Sequence, residues 1–471
     1  MVQDHDLPLI IARIQFAFTV GVHIIFPAFS IGLSVFLTFL EGMWLKTNDD
    51  RYLNLFKYWL KVFSIVFGMG VVSGIVMAYE FGTNWAGFSA KAGPITGVLL
   101  SYEVMTAFFM EAGFLGVMLF GLNRVGRRMH FFATCAVTTG TLISMTWILA
   151  SNSWMQTPRG YVIDPKTGHF LPHDWLAIIF NPSFPYRITH MALAAMLSVA
   201  FTVAAAGAWH LLRARKNGIQ ADSTVRLMFS LSLWMIVVTA PLQIVAGDMH
   251  GLNTLKYQPA KIAAMEGDWT SERRASELLF GIPNMKTEHT DYAIGIPLLG
   301  SFILTHDING KVPGLKDYPA DQRAPSPIVF FSFRIMIALG GLMFLCGLWS
   351  LWLRHRKRLF EHPLFLRVML FMAPAGFLAL LCGWVTTEVG RQPWTVYGLL
   401  RTKDSASPLA LSSLSFSMLL FVVVYVFVFG SGLLMLVRLL RAAPEAADSA
   451  QDDIMILGSH HHTVSQNKEA P

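Results

Sequence analysis

The stretch Gly383-Trp384-Val385-Thr386-Thr387-Glu388-Val389-Gly390-Arg391-Gln392-Pro393-Trp394 puts a carboxylate, a guanidinium and two indoles directly after an apolar run. A charged side chain at mid-bilayer costs roughly 2.5–3.5 kcal/mol on insertion scales. A chain that tolerates Glu388 and Arg391 at such a place gains a ligand, a proton path or a cofactor site. The competing reading is a helix end whose charges snorkel into headgroups, with Trp394 as an interfacial anchor.

Other side chains of the same kind recur at membrane depth. His23 follows Gly21, which leaves room against the backbone, and His190 follows Arg187. A lone membrane histidine is usually a hydrogen-bonded packing residue, but two at similar depth raise the case for ligands. Met336 sits beside Arg334. Methionine is ordinarily core filler; a neighbouring guanidinium is not filler and needs an anion, for which a haem propionate is suitable. A His/Met axial pair gives a low-spin haem suited to electron transfer, so His190 and Met336 are candidates to flank one ring. Glu103 and Glu111 lie on one span, roughly 80° apart on an α-helical wheel, so both border one interior face. Buried carboxylates there are proton-relay or metal-ligand candidates, against the plainer reading of a hydrogen-bonded structural acid. Thr138, Thr139, Thr141, Ser144 and Asn152 add hydroxyl and amide groups that extend a proton wire or merely bond their own helix.

These residues need spans to hold them. The chain has 471 residues, 54% hydrophobic and 14% charged, with a mean hydropathy of +0.51. That composition belongs to a multi-spanning, all-α membrane protein. The net charge of +7 reflects basic residues gathered on one membrane side, with no zinc-finger spacing or long basic tract to suggest nucleic-acid binding. Cys135, Cys346 and Cys382 sit in apolar runs and form no disulfide framework. The first residues, with Asp4 and Asp6, do not read as a cleaved signal.

About nine segments reach the roughly 20 apolar residues that a bilayer helix requires, near 15–41, 55–79, 95–121, 129–151, 188–212, 227–247, 328–353, 364–386 and 411–438. Residues 1–14, with Asp6 and Arg13, are expected on the interface. Connections rich in Lys and Arg alternate with poor ones, which predicts a periplasmic N-terminus and a cytoplasmic C-terminus. The chain therefore divides into helices 1–6 with candidate ligands (1–247), an external loop (248–327), helices 7–9 with the Gly383–Trp394 stretch (328–441) and a polar cytoplasmic tail (442–471). The loop carries Asp248, His250, Lys261, Glu266 and Trp269; loops of this length are usually functional or disordered. His460, His461 and His462 fall in the tail and read as solvated.

With these residues in view, the chain resembles subunit I of the cytochrome bd-type quinol oxidases along essentially its whole length. Gly383–Trp394 matches that family's signature. Phe81-Gly82-Thr83-Asn84-Trp85, Phe333-Arg334-Ile335-Met336 and Lys261-Ile262-Ala263-Ala264-Met265-Glu266 support it. The resemblance implies a terminal oxidase in the bacterial cytoplasmic (inner) membrane. It would oxidise quinol, with ubiquinol as substrate, outside, and reduce O2 to water with cytoplasmic protons, without pumping. It implies His190 and Met336 on a low-spin haem b, with Arg334 facing that haem. It implies a high-spin pair, a second haem b and a haem d or a haem b replacing it. His23 is assigned to the oxygen-reducing haem and Glu388 to the second haem b, although the resemblance also allows an exchange. Trp384 would sit between haems; Arg391 and Arg13 would neutralise propionates. Glu103, Glu111 and Ser144 would deliver protons, with Glu103 also able to approach the oxygen-reducing iron. Lys261 and Glu266 would hold the quinol as donor and base. The loop lacks the insertion of long-loop members and so resembles the short-loop, cyanide-insensitive branch. Implied partners are the oxidase's second membrane subunit and, in some members, a small single-span subunit.

Two other classes compete. A proton-coupled transporter would show Gly/Pro-broken spans in matched halves, which the sequence lacks. A di-haem b anchor that only passes electrons would leave Glu388 and Glu103/Glu111 without a task.

Overall fold

The structure, a computed structural model, describes residues 7–444; most of the tail, with its three histidines, lies outside the described residues. Among the described residues nine helical runs are long and apolar enough to cross a membrane. The first is α1 (Leu7–His23) continued by α2 (Ile25–Thr47), followed by α3 (Asp50–Thr83). The third joins α4 (Ala86–Tyr102) to α5 (Phe109–Phe120) through a π-helical segment, Glu103–Phe108. Then come α6 (Arg127–Gln156), a short α7 (Trp175–Ile179), α8 (Phe184–Lys216) and α9 (Ser223–Tyr257). After the external loop come α12 (Ser326–His355), α13 (Pro363–Phe371) with α14 (Ala375–Val389), and α15 (Leu411–Arg441). The expectation of an all-α multi-pass protein with nine spans agrees with this architecture.

The helices overrun the apolar windows because hydropathy reports only the hydrocarbon thickness, whereas polar end turns continue the helix. Asp49 accepts the backbone N–H of Arg51 at 3.0 Å and Asp222 that of Thr224 at 2.6 Å, each satisfying an end donor. At the N-terminus the difference is a correction. The chain is helical from Leu7, so Arg13 belongs to the first helix rather than to an interfacial segment, and His23 lies at the last turn of α1.

Close packing comes from small residues. A Cβ on Gly32 would meet Val199 Cγ2 of α8 at 2.7 Å, and one on Gly207 would meet Phe229 Cβ of α9 at 2.9 Å. Only glycine lets these backbones approach so near. Phe29, Leu33, Leu37, Phe56, Trp59 and Phe63 fill the space between α2 and α3.

The long connection between α9 and α12 is folded and begins later than expected. Asp248 and His250 lie on α9, which runs to Tyr257, so the connection starts at Gln258. Their polarity suggested a loop, yet both line an internal cavity. Beyond α9 come α10 (Pro259–Glu266) and α11 (Leu299–Thr305). Small strands complete the extramembrane parts: β1 (Tyr161–Ile163) with β2 (Phe170–Pro172), β3 (Glu272–Arg273) with β6 (Lys311–Val312), β4 (Glu277–Asn284) with β5 (His289–Ile296), and β7 (Trp394–Val396) with β8 (Leu400–Arg401). Ile262, Met265, Trp269, Leu304 and Leu315 give the loop its own apolar core, closed against Val329 of α12.

Candidate functional site

One cavity of about 1660 Å³ runs through the bundle, larger than the roughly 300–1,000 Å³ of an ordinary ligand pocket. His23, Glu103, Glu111, Ser144, His190, Met336, Trp384, Glu388 and Arg391 all line it, as do Arg13, Lys261 and Glu266. Arg334, Thr138, Thr139, Trp269 and Trp394 are not on this wall; Arg334 lies just behind it, against Glu266 and Glu277, which line it.

His23 is held by Ser73 of α3, with Nδ1 2.8 Å from Oγ. Ser73 spends its own proton on the carbonyls of Met69 and Gly70, so the imidazole Nδ1–H donates to it. The other nitrogen, Nε2, is left as a free lone pair, the form a metal requires. A Cβ on Gly21 would meet nothing within 4 Å, in keeping with the expected space there.

His190 lies under two turns from the start of α8. Its ring faces Gly247 of α9, where a Cβ would come 3.4 Å from Cε1. It packs edge-on against His250 with centroids 5.6 Å apart. The Gln243 amide nitrogen is 3.2 Å from its Nε2. Met336, ten residues into α12, points its sulfur at Gly383 of α14; a Cβ there would sit 2.9 Å from the Sδ atom. Glycine at 383 therefore makes room for the thioether.

The signature stretch is no snorkelling helix end. Glu388 closes α14, the chain turns, and Trp394 starts β7, where the Arg401 guanidinium lies 5.1 Å from its ring. Arg391 is only 6% exposed and faces inward. Glu388 accepts from Asn152 Nδ2 at 2.8 Å with one oxygen and from Arg391 Nη2 with the other. Asn152 in turn accepts from Arg187 Nη1 at 3.3 Å. Lys261, 3% exposed, donates to Gln156 Oε1 at 2.7 Å, one turn along α6 from Asn152. Burial, reinforced by Arg187 and Arg391, pushes the Lys261 ammonium well below its ordinary range, with Glu388 opposing.

Arg187, Arg391 and Lys261 thus surround a single carboxylate. Arg187 Nε, Arg391 Nε and Nη1, and the indole N–H of Trp85 are buried without a hydrogen-bond partner. Buried donors are rarely orphaned. A largely apolar cavity with a neutral imidazole, a thioether and spare cationic donors fits a porphyrin, whose ring is apolar and whose propionates are anionic. Among the described residues no group of three or more His, Cys, Asp or Glu could hold a bare metal ion; an iron porphyrin needs only one or two axial side chains.

Arg334 has carboxylate partners on the loop that follows α9: Nη2 lies 2.6 Å from Glu266 Oε2 and 3.3 Å from Glu277 Oε1, and Nε donates to the Leu278 carbonyl. Only Nη1 is left unpaired for a propionate. Lys261 and Glu266, grouped as a quinol pair from the sequence, are turned apart by α10, Lys261 toward the Glu388 group and Glu266 toward Arg334.

On the third span the π-helical segment replaces the assumed α-wheel between Glu103 and Glu111. Both carboxyls still reach the cavity. Ser144 donates to Glu103 at 2.8 Å. Glu111 rests on Gly140, where a Cβ would come 2.6 Å from its Cγ. Hydroxyls continue between α2 and α6. Ser34 lies 3.0 Å from Thr141, and Thr38 2.8 Å from Thr138. Below them is a fully buried His130–Glu41 pair at 2.6 Å. Thr139 is exposed and bonds its own helix.

Sequence reasoning did not single out Arg187, Trp85, Gln243, His250 or Glu277 for the site. Arg187 is three residues before His190, one helical turn, a spacing that could have flagged it.

Comparison with known proteins follows the same lines. The family model described as cytochrome bd terminal oxidase subunit I matches residues 11–444. Subunit 1 of a cytochrome bd ubiquinol oxidase from Bacillus subtilis (strain 168) is 36% identical over 429 residues, covering 88% of this chain and 90% of that protein. The cytochrome bd-II ubiquinol oxidase subunit 1 of Escherichia coli (strain K12) is 29% identical, covering 94% and 98%. The solved bd oxidase from Geobacillus thermodenitrificans superimposes with a TM-score of 0.84 at 27% identity, covering 92% of this chain and 98% of that one.

Proposed function

Because this chain belongs to the cytochrome bd terminal oxidase subunit I family, we propose that it is the haem-bearing subunit of a quinol:oxygen oxidoreductase in a bacterial cytoplasmic membrane. The observation that carries this reading is the convergence of His23, His190, Met336 and Glu388 on one cavity. When bound, the haems supply electron storage and oxygen binding.

His190 and Met336 hold the low-spin haem b. His23 serves the oxygen-reducing haem, a haem d or a haem b in its place, and Glu388 the second haem b. The free Nε2 of His23 supports its part. Trp384, on the same cavity wall, would sit between the haems. Arg391 and Arg13 bind propionates, as the spare nitrogens of Arg391 favour. Glu111, Glu103 and Ser144 hold and pass protons toward the oxygen site, fed from the cytoplasm, with Glu103 close enough to its bonded Ser144 to exchange one. Glu266 takes a proton from ubiquinol beside the external loop and Lys261 donates to a quinol oxygen. Oppositely sided proton release and uptake separate charge without a pump. A second membrane subunit, and in some complexes a small single-span subunit, completes the enzyme.

A reduced-minus-oxidised spectrum of the purified complex tests the reading. A high-spin feature that shifts with carbon monoxide is expected. Low-spin haem b alone would indicate an electron-passing anchor, and a colourless protein would indicate transport. The quinol residues are tested separately. Glu266→Gln is expected to slow quinol oxidation on the order of 10²-fold, the scale of one lost general base, with every haem band kept. Lys261→Met is expected to slow it with bands in place. Loss of the Glu388 haem in Lys261→Met would instead place the ammonium wholly within the Glu388 group.

A further inference from the structure

An acid at position 277 serves no need of the strand it opens. Glu277 begins β4, followed by Leu278, Leu279 and Phe280, and opposite it on β5 is Ile296. It is nonetheless buried at 9% exposure, and it lines the same cavity as Glu266. Arg334 is its charged contact, at 3.3 Å, and Arg334 already meets Glu266 at 2.6 Å. One guanidinium is thus shared by two carboxyls, and Asp268 and Glu272 add further negative charge nearby. A single cation cannot neutralise this set, so the group holds a proton among its members. Two residues beyond Arg334 is Met336, on the cavity wall.

Quinol oxidation breaks two O–H bonds. The ring gives up two electrons, taken by the oxidase's own acceptors and finally by O2, and two protons. Glu266 alone takes one of these protons. Resting on the quinol reading above, we propose that Glu277 is the second proton acceptor of quinol oxidation, working with Glu266 across the shared Arg334.

The electrostatics agree. Burial, then Glu266, pushes the Glu277 carboxyl up to about 7, with Arg334 opposing. Burial, with Glu266, Glu272 and Glu277, pushes Asp268 up to about 8. Below pH 7 Glu277 already carries a proton and cannot accept another; above it the carboxylate is free. Quinol oxidation therefore rises as pH rises through about 7.

The test uses the purified complex with its natural subunits and two electron donors across about pH 6 to 9. One is ubiquinol-1, which releases protons; the other is tetramethyl-p-phenylenediamine, which gives one electron and no proton. Glu277→Gln is expected to lose on the order of 10²-fold with ubiquinol-1, to lose the limb near pH 7, and to keep the diamine rate within about twofold. Glu277→Asp is expected to recover part of the rate and a displaced limb. A wild-type rate and limb in Glu277→Gln overturns the proposal. So does equal loss with both donors, or loss of haem bands in both variants, which would make the residue structural. If the wild-type complex consumes oxygen with the diamine but not with ubiquinol-1, the quinol reading itself fails and this proposal with it.

Discussion

Replacing Glu388 with Gln is expected to lose the haem proposed for this carboxylate and to lower the stability of the whole subunit. Three buried cations, Arg187, Arg391 and Lys261, act on this carboxylate, and the amide that replaces it carries no charge. Breaking a buried pair by removing one partner costs about 3–5 kcal/mol, because a desolvated charge is left without compensation. The gain from the intact pair is smaller than this cost, since both ions paid desolvation to enter. A double change tests that distinction. In Glu388→Gln/Arg391→Gln the guanidinium bonded directly to the carboxylate is gone with it, leaving only Arg187 and Lys261, so the pair is expected to be less destabilised than the sum of the two single variants. The measurements are haem content by pyridine haemochrome and thermal melting of the purified complex. Unchanged haem content and melting in Glu388→Gln would remove this carboxylate from both tasks.

The same cluster shows what a single sequence can and cannot reveal. Glu388 and Arg391 were legible because they interrupt an apolar run, and His23, His190 and Met336 because their side chains are chemically distinctive. Each lines the cavity. Arg187 was hidden for the opposite reason: one turn before His190 it reads as a charge of the connection. Burial at a helix start cannot be seen without knowing what packs above it, here Asn152 of α6. The loop boundary failed likewise. Asp248 and His250 face a cavity, and hydropathy cannot tell a polar cavity wall from a solvent-exposed loop. Glu277 opens an eight-residue strand whose burial does not alternate regularly, so no periodicity marks it as inward-facing. The π-helical segment at Glu103 also has no composition signal, because it changes the winding of the backbone and leaves the polarity of the span as it was. Lys261 and Glu266 were rightly placed near each other in sequence, but their separation by five residues on α10 sends them toward different partners.

Replacing His190 with Leu is expected to stop electron entry from quinol almost completely, whereas replacing Met336 with Leu only weakens it. The two ligands differ in what else holds them. His190 is fixed between Gly247, His250 and Gln243, and imidazole is the stronger iron ligand, so on the proposed ligation its loss is expected to remove the low-spin haem. The Met336 thioether is seated by Gly383, and on the proposed ligation its loss would leave His190 to hold the haem. A His/Met pair raises the potential relative to other axial sets. Met336→Leu is therefore expected to keep the haem, in a high-spin form or at a lower potential, with slower but measurable oxidation of ubiquinol-1. Equilibrium redox titration followed at the α-band separates the cases. Gly383→Ala supplies an independent handle, because its Cβ would press on the Met336 sulfur at 2.9 Å without removing it. It is expected to shift the low-spin haem's potential in the same direction as Met336→Leu, by less. A wild-type spectrum and potential in Met336→Leu would rule out the thioether as a ligand. An unaltered potential in Gly383→Ala would show that α14 does not set the thioether's position.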